Sequence, residues 1–360
     1  MKMARVQCLW KRLMVCSVTL LCCILLRMYY HQRYPWIWSN LPHSAIPSHP
    51  MAPYIVQENV KCSANDSTEV IPSHLPQSYQ EFLRHRHCRT FPILQAPSPC
   101  EDDLYLLLAI KSTAAQVERR SAVRDTWGRA GRIQGRRIKL VFLMGRSHDK
   151  VQGHDLQPLL EWENRRYSDI LQWDFVDSFL NLTRKEVGFL SWFSRACSSA
   201  QFVFKGDDDV FVNTENLVEF LRAHKPTNHM LTGHIHGGSV PWRDEGTKYF
   251  VPVEMYPDKK PYPPFPSGGG YIMSRQTVLG LDVMAQKVKL FPLDDVFVGL
   301  CLREMGFNPT FHSGFLTFGF SAGHQRLGPC VYQEIMVVHK LNPVEMRVIW
   351  LLMQDTLPCA

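Results

Sequence analysis

Hydrophobic and polar positions divide this 360-residue chain into three stretches. The first is an unbroken apolar run, Leu13 to Leu26, which Met28, Tyr29 and Tyr30 extend past a single Arg27. A helix from Leu13 to Tyr30 would measure about 27 Å at 1.5 Å per residue. That length suits the thin bilayers of the early secretory pathway and is short for a plasma membrane. Arg27, near its end, can snorkel to the headgroups. Residues 27–31 (Arg-Met-Tyr-Tyr-His) are bulky where a signal peptidase requires small side chains. The pattern predicts an uncleaved type II signal anchor at 13–30 behind a cytosolic tail at 1–12. Residues 31–87 follow, broken by Pro35, Pro42, Pro47, Pro50, Pro53, Pro72 and Pro76. Such a stretch buries little and predicts a lumenal stem, with a short helix near Ser78–Arg86 able to dock on the next domain.

From residue 88 to 360 the periodicity is that of a folded domain. Leu104–Ile110 is continuously apolar, as a strand buried on both faces must be. A helix is expected over Thr113–Trp127, a strand over Ile138–Met144 and a helix over Leu156–Tyr167. A strand at Ile170–Phe175, a helix at Arg184–Ser198 and a strand at Gln201–Lys205 complete the series. Alternating strands and helices predict an α/β domain with a mostly parallel central sheet covered on both faces. Ligands of such sheets bind beyond the carboxyl ends of the strands.

Charge changes the picture only at the N-terminus. The formal net charge is +7, and Lys2, Arg5, Lys11, Arg12, Arg27 and Arg33 account for all but one unit of it. The basic excess flanks the anchor, so a nucleic-acid partner is excluded. Of 11 cysteines, Cys8, Cys16, Cys22 and Cys23 lie in or before the anchor; Cys62, Cys88, Cys100, Cys197, Cys301, Cys330 and Cys359 lie beyond it. An oxidising lumen makes the latter disulfide candidates. Their odd number leaves one over, for which Cys62 is the choice, and spacing suggests Cys88–Cys100 and Cys301–Cys330. Asn65-Asp66-Ser67 and Asn181-Leu182-Thr183 are glycosylation triplets consistent with that compartment.

Three segments carry candidate chemistry. Gly206-Asp207-Asp208-Asp209-Val210-Phe211 follows a buried strand. Adjacent carboxylates repel unless a positive group sits among them, and a hard divalent cation shared with a diphosphate would supply it. A solvated turn or helix cap is the competing reading. Asp294-Asp295, opening a helix that runs to Met305, either caps it or presents a general base. Ser267-Gly268-Gly269-Gly270-Tyr271 allows close approach to the backbone, or makes a turn. No P-loop or dinucleotide-binding glycine pattern is present, which argues against a nicotinamide cofactor. His85-Arg86-His87-Cys88 and His234-Ile235-His236 lack the second half of a zinc site and read as structural or surface residues.

These segments, in this order, resemble the β1,3-glycosyltransferase family of β1,3-galactosyltransferases and β1,3-N-acetylglucosaminyltransferases. The matching stretches are 119–128 (RRSAVRDTWG), 169–183 (DILQWDFVDSFLNLT), 202–213 (FVFKGDDDVFVN), 262–271 (YPPFPSGGGY) and 294–299 (DDVFVG). DILQWDF, FKGDDDVF and the ending Val338-His339-Lys340 are closer to the N-acetylglucosaminyl branch. The resemblance implies a GT-A fold, a UDP-sugar donor, Mn²⁺ or Mg²⁺, a glycan acceptor on glycoprotein or glycolipid, inversion at the anomeric carbon and a Golgi membrane location. By the same resemblance Asp209 and His339 are metal ligands and Asp295 is the catalytic base. Asp207, Asp208, Gly269, Gly270, Arg120 and Arg124 would form the donor site, with Trp127 beside the uridine. Asp294 would cap its helix or orient the sugar. Trp173 and Trp192 are either acceptor platforms or core. Phe265-Pro266 stands where relatives usually carry Tyr-Ala or Tyr-Cys, which bears on sugar selection.

The implied reaction moves GlcNAc from UDP-GlcNAc in β1,3 linkage onto a galactose-terminated chain. A β1,3-galactosyltransferase using UDP-Gal, an inactive membrane-tethered sugar-binding protein and a glycoside hydrolase are the alternatives. Stem and anchor also offer contacts for homo- or hetero-oligomers.

Overall fold

The computed structural model describes residues 62–63, 70–147, 150–151, 154–257, 260–320 and 328–354, all within one compact unit, Val56–Ala360. The expected tail, anchor, most of the stem and the Asn65 triplet lie outside the described residues. Among the described residues no helix is long and apolar enough to cross a membrane.

The first half of the domain runs α1 (Gln77–Arg84), β1 (Ile93–Gln95), β2 (Leu104–Lys111), α2 (Val117–Asp125), β3 (Gly131–Ile133), β4 (Arg136–Arg146), β5 (Lys150–Val151), β6 (His154–Asp155), α3 (Gln157–Tyr167), β7 (Ile170–Val176), α4 (Leu182–Ala196) and β8 (Phe202–Asp207). The second half runs β9 (Val210–Val212), α5 (Thr214–Leu221), β10 (Leu231–His236), β11 (Phe265–Ser274), α6 (Arg275–Ala285), α7 (Asp294–Glu304), β12 (Thr310–Phe311), β13 (Phe315–Leu316), α8 (Pro329–Glu334), β14 (Val337–His339) and α9 (Pro343–Gln354).

The main sheet has the order β1-β7-β4-β2-β8-β11-β10-β12, with β3 added to β4. Its heart, β7-β4-β2-β8, is parallel. β1 pairs antiparallel with β7, and β11 pairs antiparallel with both β8 and β10. The sheet is therefore mixed, not mostly parallel. Helical connections link the parallel strands β2, β4, β7 and β8, but among the described residues no helix lies between β10 and β11, so the chain is free to reverse there. The reversal matters, because it lays the glycine-rich start of β11 beside the carboxyl end of β8.

All eight residues of β2 are buried. Leu104, Leu107 and Ala109 join one core with side chains of α1, α4, α6 and α7. Leu106, Leu108 and Ile110 join the other with α2, α5 and α9. Burial on both faces explains why the strand has no polar alternation. Gly188, in mid-helix α4, has a packing reason: a Cβ there would lie 2.8 Å from the Trp173 ring. Leu75, Tyr79, Phe82 and Leu83 are core residues, so the stem boundary at residue 87 falls inside the folded unit.

The disulfides are Cys62–Cys88 and Cys100–Cys197, and Cys301 is a buried free thiol. Cys330 is also disulfide-bonded. The pairings Cys88–Cys100 and Cys301–Cys330, and the choice of Cys62 as the odd thiol, are corrected. Cysteine spacing reports loop length, whereas pairing depends on which Cα atoms the sheet brings within about 4.4–6.8 Å; Cys100 and Cys197, 97 residues apart, meet at 5.1 Å. The Asn181 triplet forms the entry to α4: Asn181 Nδ2 donates to the Val176 carbonyl at 2.8 Å, and the buried Thr183 hydroxyl donates to the Phe291 carbonyl.

Candidate active site

The parallel strands β2 and β8 end in register, Lys111 beside Asp207. Lys111 Nζ, almost fully buried, reaches Asp207 Oδ1 and Asp294 Oδ2, each at 3.1 Å. Burial works against its charge, but the two carboxylates hold its pKa above the ordinary lysine value. One ammonium thus ties together two acidic segments separated by 87 positions in sequence.

The other two members of the trio have separate partners. Asp208 accepts from Ser112 Oγ at 2.6 Å and Arg119 Nη1 at 3.1 Å; burial outweighs both and raises its carboxyl. Asp209 lies 3.4 Å from Arg119 and 3.1 Å from His339 Nε2. Burial opposes its charge, yet His339 and Arg119 hold it below the usual carboxylate value. The positive groups that adjacent carboxylates require are present: Lys111, Arg119 and His339.

Asp207, Asp209 and His339 also offer three ligand atoms within 4.8 Å of one another. His339 Nδ1 lies 2.9 Å from the Thr317 carbonyl, which can only accept. That bond places one proton on Nδ1; Nε2 faces Asp209 at 3.1 Å and Asp207 at 3.9 Å, donating to the carboxylate while protonated and offering its lone pair once a cation displaces that proton. Two carboxylates and an imidazole nitrogen form a donor set suited to Mn²⁺ or a similar cation. Cys62, His87 and Cys88 also cluster, but their two thiols are joined in a disulfide.

The glycine run serves this geometry. A Cβ on Gly269 would stand 3.1 Å from His339 Nδ1, and one on Gly270 would stand 3.0 Å from Val337. A Cβ on Gly268 would reach 3.4 Å from Lys111 Nζ and 3.8 Å from Asp295 Oδ2. The missing side chains let β14, Lys111 and the start of α7 close around the end of β11.

Asp294 and Asp295 open α7, but neither caps it through its N-cap: Leu293 holds that place without a side-chain bond. Asp294 is instead engaged with Lys111, which together with Lys205 keeps it below the ordinary carboxylate value despite burial. Asp295 has no cationic partner at bonding distance among the described residues; its Oδ1 accepts from the Val296 amide at 2.8 Å. Burial, then the Asp294 charge, pushes its carboxyl up to about 7. Part of its surface stays open to a cavity of about 930 Å³ that also touches Asp207, Asp208, Asp209, Gly268, Gly269 and His339. Two neighbouring carboxylates with diverging proton affinities mark an acid/base assignment: Asp294 stays charged, and Asp295 can exchange a proton near neutrality.

Arg120, Arg124 and Trp127 do not line this cavity. Arg120 is wholly buried, bonded to Glu163, to Ser112 Oγ and to the Thr113 and Ala114 carbonyls. It braces from behind the Ser112 that meets Asp208. Arg124 forms a bidentate pair with Asp169 and touches Glu163, and Trp127 packs edge-on against Phe204 in the core. Gly270 is not among the lining residues, and Trp173 and Trp192 are core. Phe265 lines the cavity, stacked on His236 at 4.8 Å; His236 is therefore a site residue, not a surface one. Sequence reasoning also passed over Lys111, Ser112 and Lys185. Lys185 is buried on α4 between Asp177 Oδ1 at 2.8 Å and the Ser112 carbonyl at 2.9 Å. Lys111 had a readable signal: it is the one charge closing an otherwise apolar strand, at the edge where ligands bind.

The human protein named N-acetyllactosaminide beta-1,3-N-acetylglucosaminyltransferase 4 is 45% identical over 302 residues, covering 83% of this chain and 79% of its own. The rat protein named UDP-GlcNAc:betaGal beta-1,3-N-acetylglucosaminyltransferase 7 is 40% identical, covering 89% and 82%. The mouse acetylgalactosaminyl-O-glycosyl-glycoprotein beta-1,3-N-acetylglucosaminyltransferase is 43% identical, covering 80% and 76%. Residues 118–311, which contain Asp207–Asp209, the glycine run and Asp295, match the family described as Galactosyltransferase. The chain belongs to the galactosyltransferase family.

Proposed function

We propose that this protein is an inverting β1,3-N-acetylglucosaminyltransferase of GT-A type that moves GlcNAc from UDP-GlcNAc to the 3-hydroxyl of a terminal galactose. We place it in the Golgi membrane, anchored by 13–30 with the domain in the lumen. The observation that carries the reading is that Asp295, its carboxyl raised to about 7, shares one cavity with the carboxylate–imidazole cluster Asp207, Asp209 and His339. The names of the relatives support GlcNAc as the sugar.

Asp207, Asp209 and His339 would hold the divalent cation. When bound, such a cation neutralises the donor diphosphate and the charge that develops on departing UDP. Arg119 adds a positive side chain at the same end, positioned to assist charge stabilisation. Lys111 holds Asp207 and Asp294 in fixed relation. Asp295 accepts the proton of the acceptor hydroxyl as its oxygen attacks the anomeric carbon from the face opposite UDP, giving a β linkage from an α donor. Asp294, pinned by Lys111, does not compete for that proton.

The test pairs UDP-GlcNAc and UDP-Gal separately with galactose-terminated and GlcNAc-terminated acceptors, with Mn²⁺ and with EDTA. Metal-dependent transfer of GlcNAc to galactose is the expected result. Transfer from UDP-Gal alone would reassign the donor, and EDTA-resistant glycan cleavage would replace the transferase with a hydrolase.

A further inference from the structure

Between β10 and β11, the described residues of the 237–264 connection contain no helix or strand, and connections of this length in compact domains usually carry function. This one is braced. The Val251 amide donates to the Trp242 carbonyl at 2.8 Å, and Trp242 bridges to Phe250. Arg243 donates to the Val251 carbonyl at 2.7 Å and the Tyr256 carbonyl at 2.6 Å, and the Tyr262 amide donates to the Ser239 carbonyl at 2.8 Å. Yet Trp242 is 63% exposed, and it borders the cavity that holds Asp295.

Its neighbour Tyr249 differs. Phe179 meets the Tyr249 ring edge-on at 5.7 Å, and Lys248 Nζ lies 4.9 Å from it. Trp242 has no ring or cation partner among the described residues. A large aromatic on a fixed backbone, left unpacked at the mouth of a catalytic cavity, is a preformed stacking surface. Trp242 shares the lining of this cavity with Ser239, Tyr262, Phe265 and Asp295. At about 930 Å³ the cavity is at the upper end of the range for a single ligand. A nucleotide sugar held by the acidic cluster leaves the other lining residues, Trp242 among them, for a second substrate.

We propose that Trp242 is an outer acceptor platform, stacking against the C–H face of an interior sugar of the acceptor chain while its terminal galactose sits at Asp295. The polarised C–H bonds on one face of a β-linked pyranose meet the negative face of the indole, and their contact removes apolar area from water. This inference rests on the transferase reading and deepens it: the substrate is an oligosaccharide bound across at least two sugars.

The experiment compares the full-length protein with Trp242→Ala and Trp242→Phe in detergent, with UDP-GlcNAc as donor. Methyl β-galactoside and a tetrasaccharide of alternating galactose and GlcNAc serve as acceptors. The Ala variant should raise KM for the tetrasaccharide about tenfold more than KM for the monosaccharide, the loss of one aromatic stack. The Phe variant should recover most of that difference, and saturation-transfer NMR should show interior-sugar contacts in the wild type that the Ala variant loses. Equal changes for both acceptors, or none, would overturn the platform while leaving the transferase reading intact. Wild-type protein that transfers GlcNAc to neither acceptor would instead sink the transferase reading, and the platform with it.

Discussion

The two acidic segments of this protein, Asp207–Asp209 and Asp294–Asp295, look alike in sequence and behave differently in space. Around the trio, every carboxylate has a cationic neighbour: Lys111, Arg119 or His339. Around the pair, Lys111 reaches Asp294 and stops there. Asp209 is thereby held charged, and with Asp207 and His339 it is placed to hold a cation. The pair is split into one fixed anion and one carboxyl whose proton is loosely decided. The same residue type performs two tasks because its surroundings differ.

Removing the base should break this comparison most severely. Asp295→Asn should lower kcat by roughly a thousandfold, within the range for loss of a general base. Binding of UDP-GlcNAc, followed by calorimetry, should persist; a variant retaining more than a tenth of wild-type turnover would remove Asp295 from that role. Disabling the trio comes next. His339→Ala or Asp209→Ala should cut activity by about a hundredfold and weaken Mn²⁺ dependence, visible as a shift of the activating Mn²⁺ concentration; an unchanged Mn²⁺ profile would argue against both as ligands.

The link between the segments can be cut directly. Lys111→Met leaves Asp207 and Asp294 buried without their shared cation. Breaking such a pair costs about 3–5 kcal/mol, and a marked fall in melting temperature should accompany lost activity. The Cys100–Cys197 bridge offers a control distant from this chemistry. It closes a span of 97 residues, and Cys197→Ser should destabilise the domain by about 2–5 kcal/mol while folded protein retains its pH profile.

The smallest effect is the most diagnostic. Asp295 accepts a proton only when ionised, and its carboxyl sits near 7. The logarithm of kcat/KM should therefore fall with unit slope as pH drops below about 7. Asp294→Asn removes the adjacent negative charge that raises Asp295, so the limb should move to lower pH in whatever activity remains. A limb that stays in place, or moves upward, would contradict this assignment.

Much of the scaffold was readable because burial on both faces of a strand leaves a continuous apolar run. The strand read as Leu104–Ile110 is β2, the helix read as Leu156–Tyr167 is α3, and the strand read as Gln201–Lys205 is β8, each within two residues at either end. The reversal into β11 was not readable, since nothing in a helix-free segment announces the direction of the next strand. Within the site, both acidic motifs were legible as short patterns, whereas His339 was named only through the family resemblance. Arg120 was misplaced because a helix presents Arg119 and Arg120 to different surroundings: one reaches Asp208, the other is sealed against Glu163. His236 and Trp242 were missed because their importance depends on what other elements bring to them, whereas Lys111 was passed over despite closing an otherwise apolar strand.

The amino-acid sequence by itself determined the α/β alternation, the double core and the residue types able to hold a cation and move a proton. These follow from local hydrophobic periodicity and side-chain chemistry, which each segment carries wherever it sits. Only the tertiary structure decided the mixed sheet, the cysteine partners and which of two adjacent aspartates is pinned and which is free. Those depend on distances between segments far apart in the chain, and a carboxyl's proton affinity is set by the charges and the low-dielectric surroundings assembled around it.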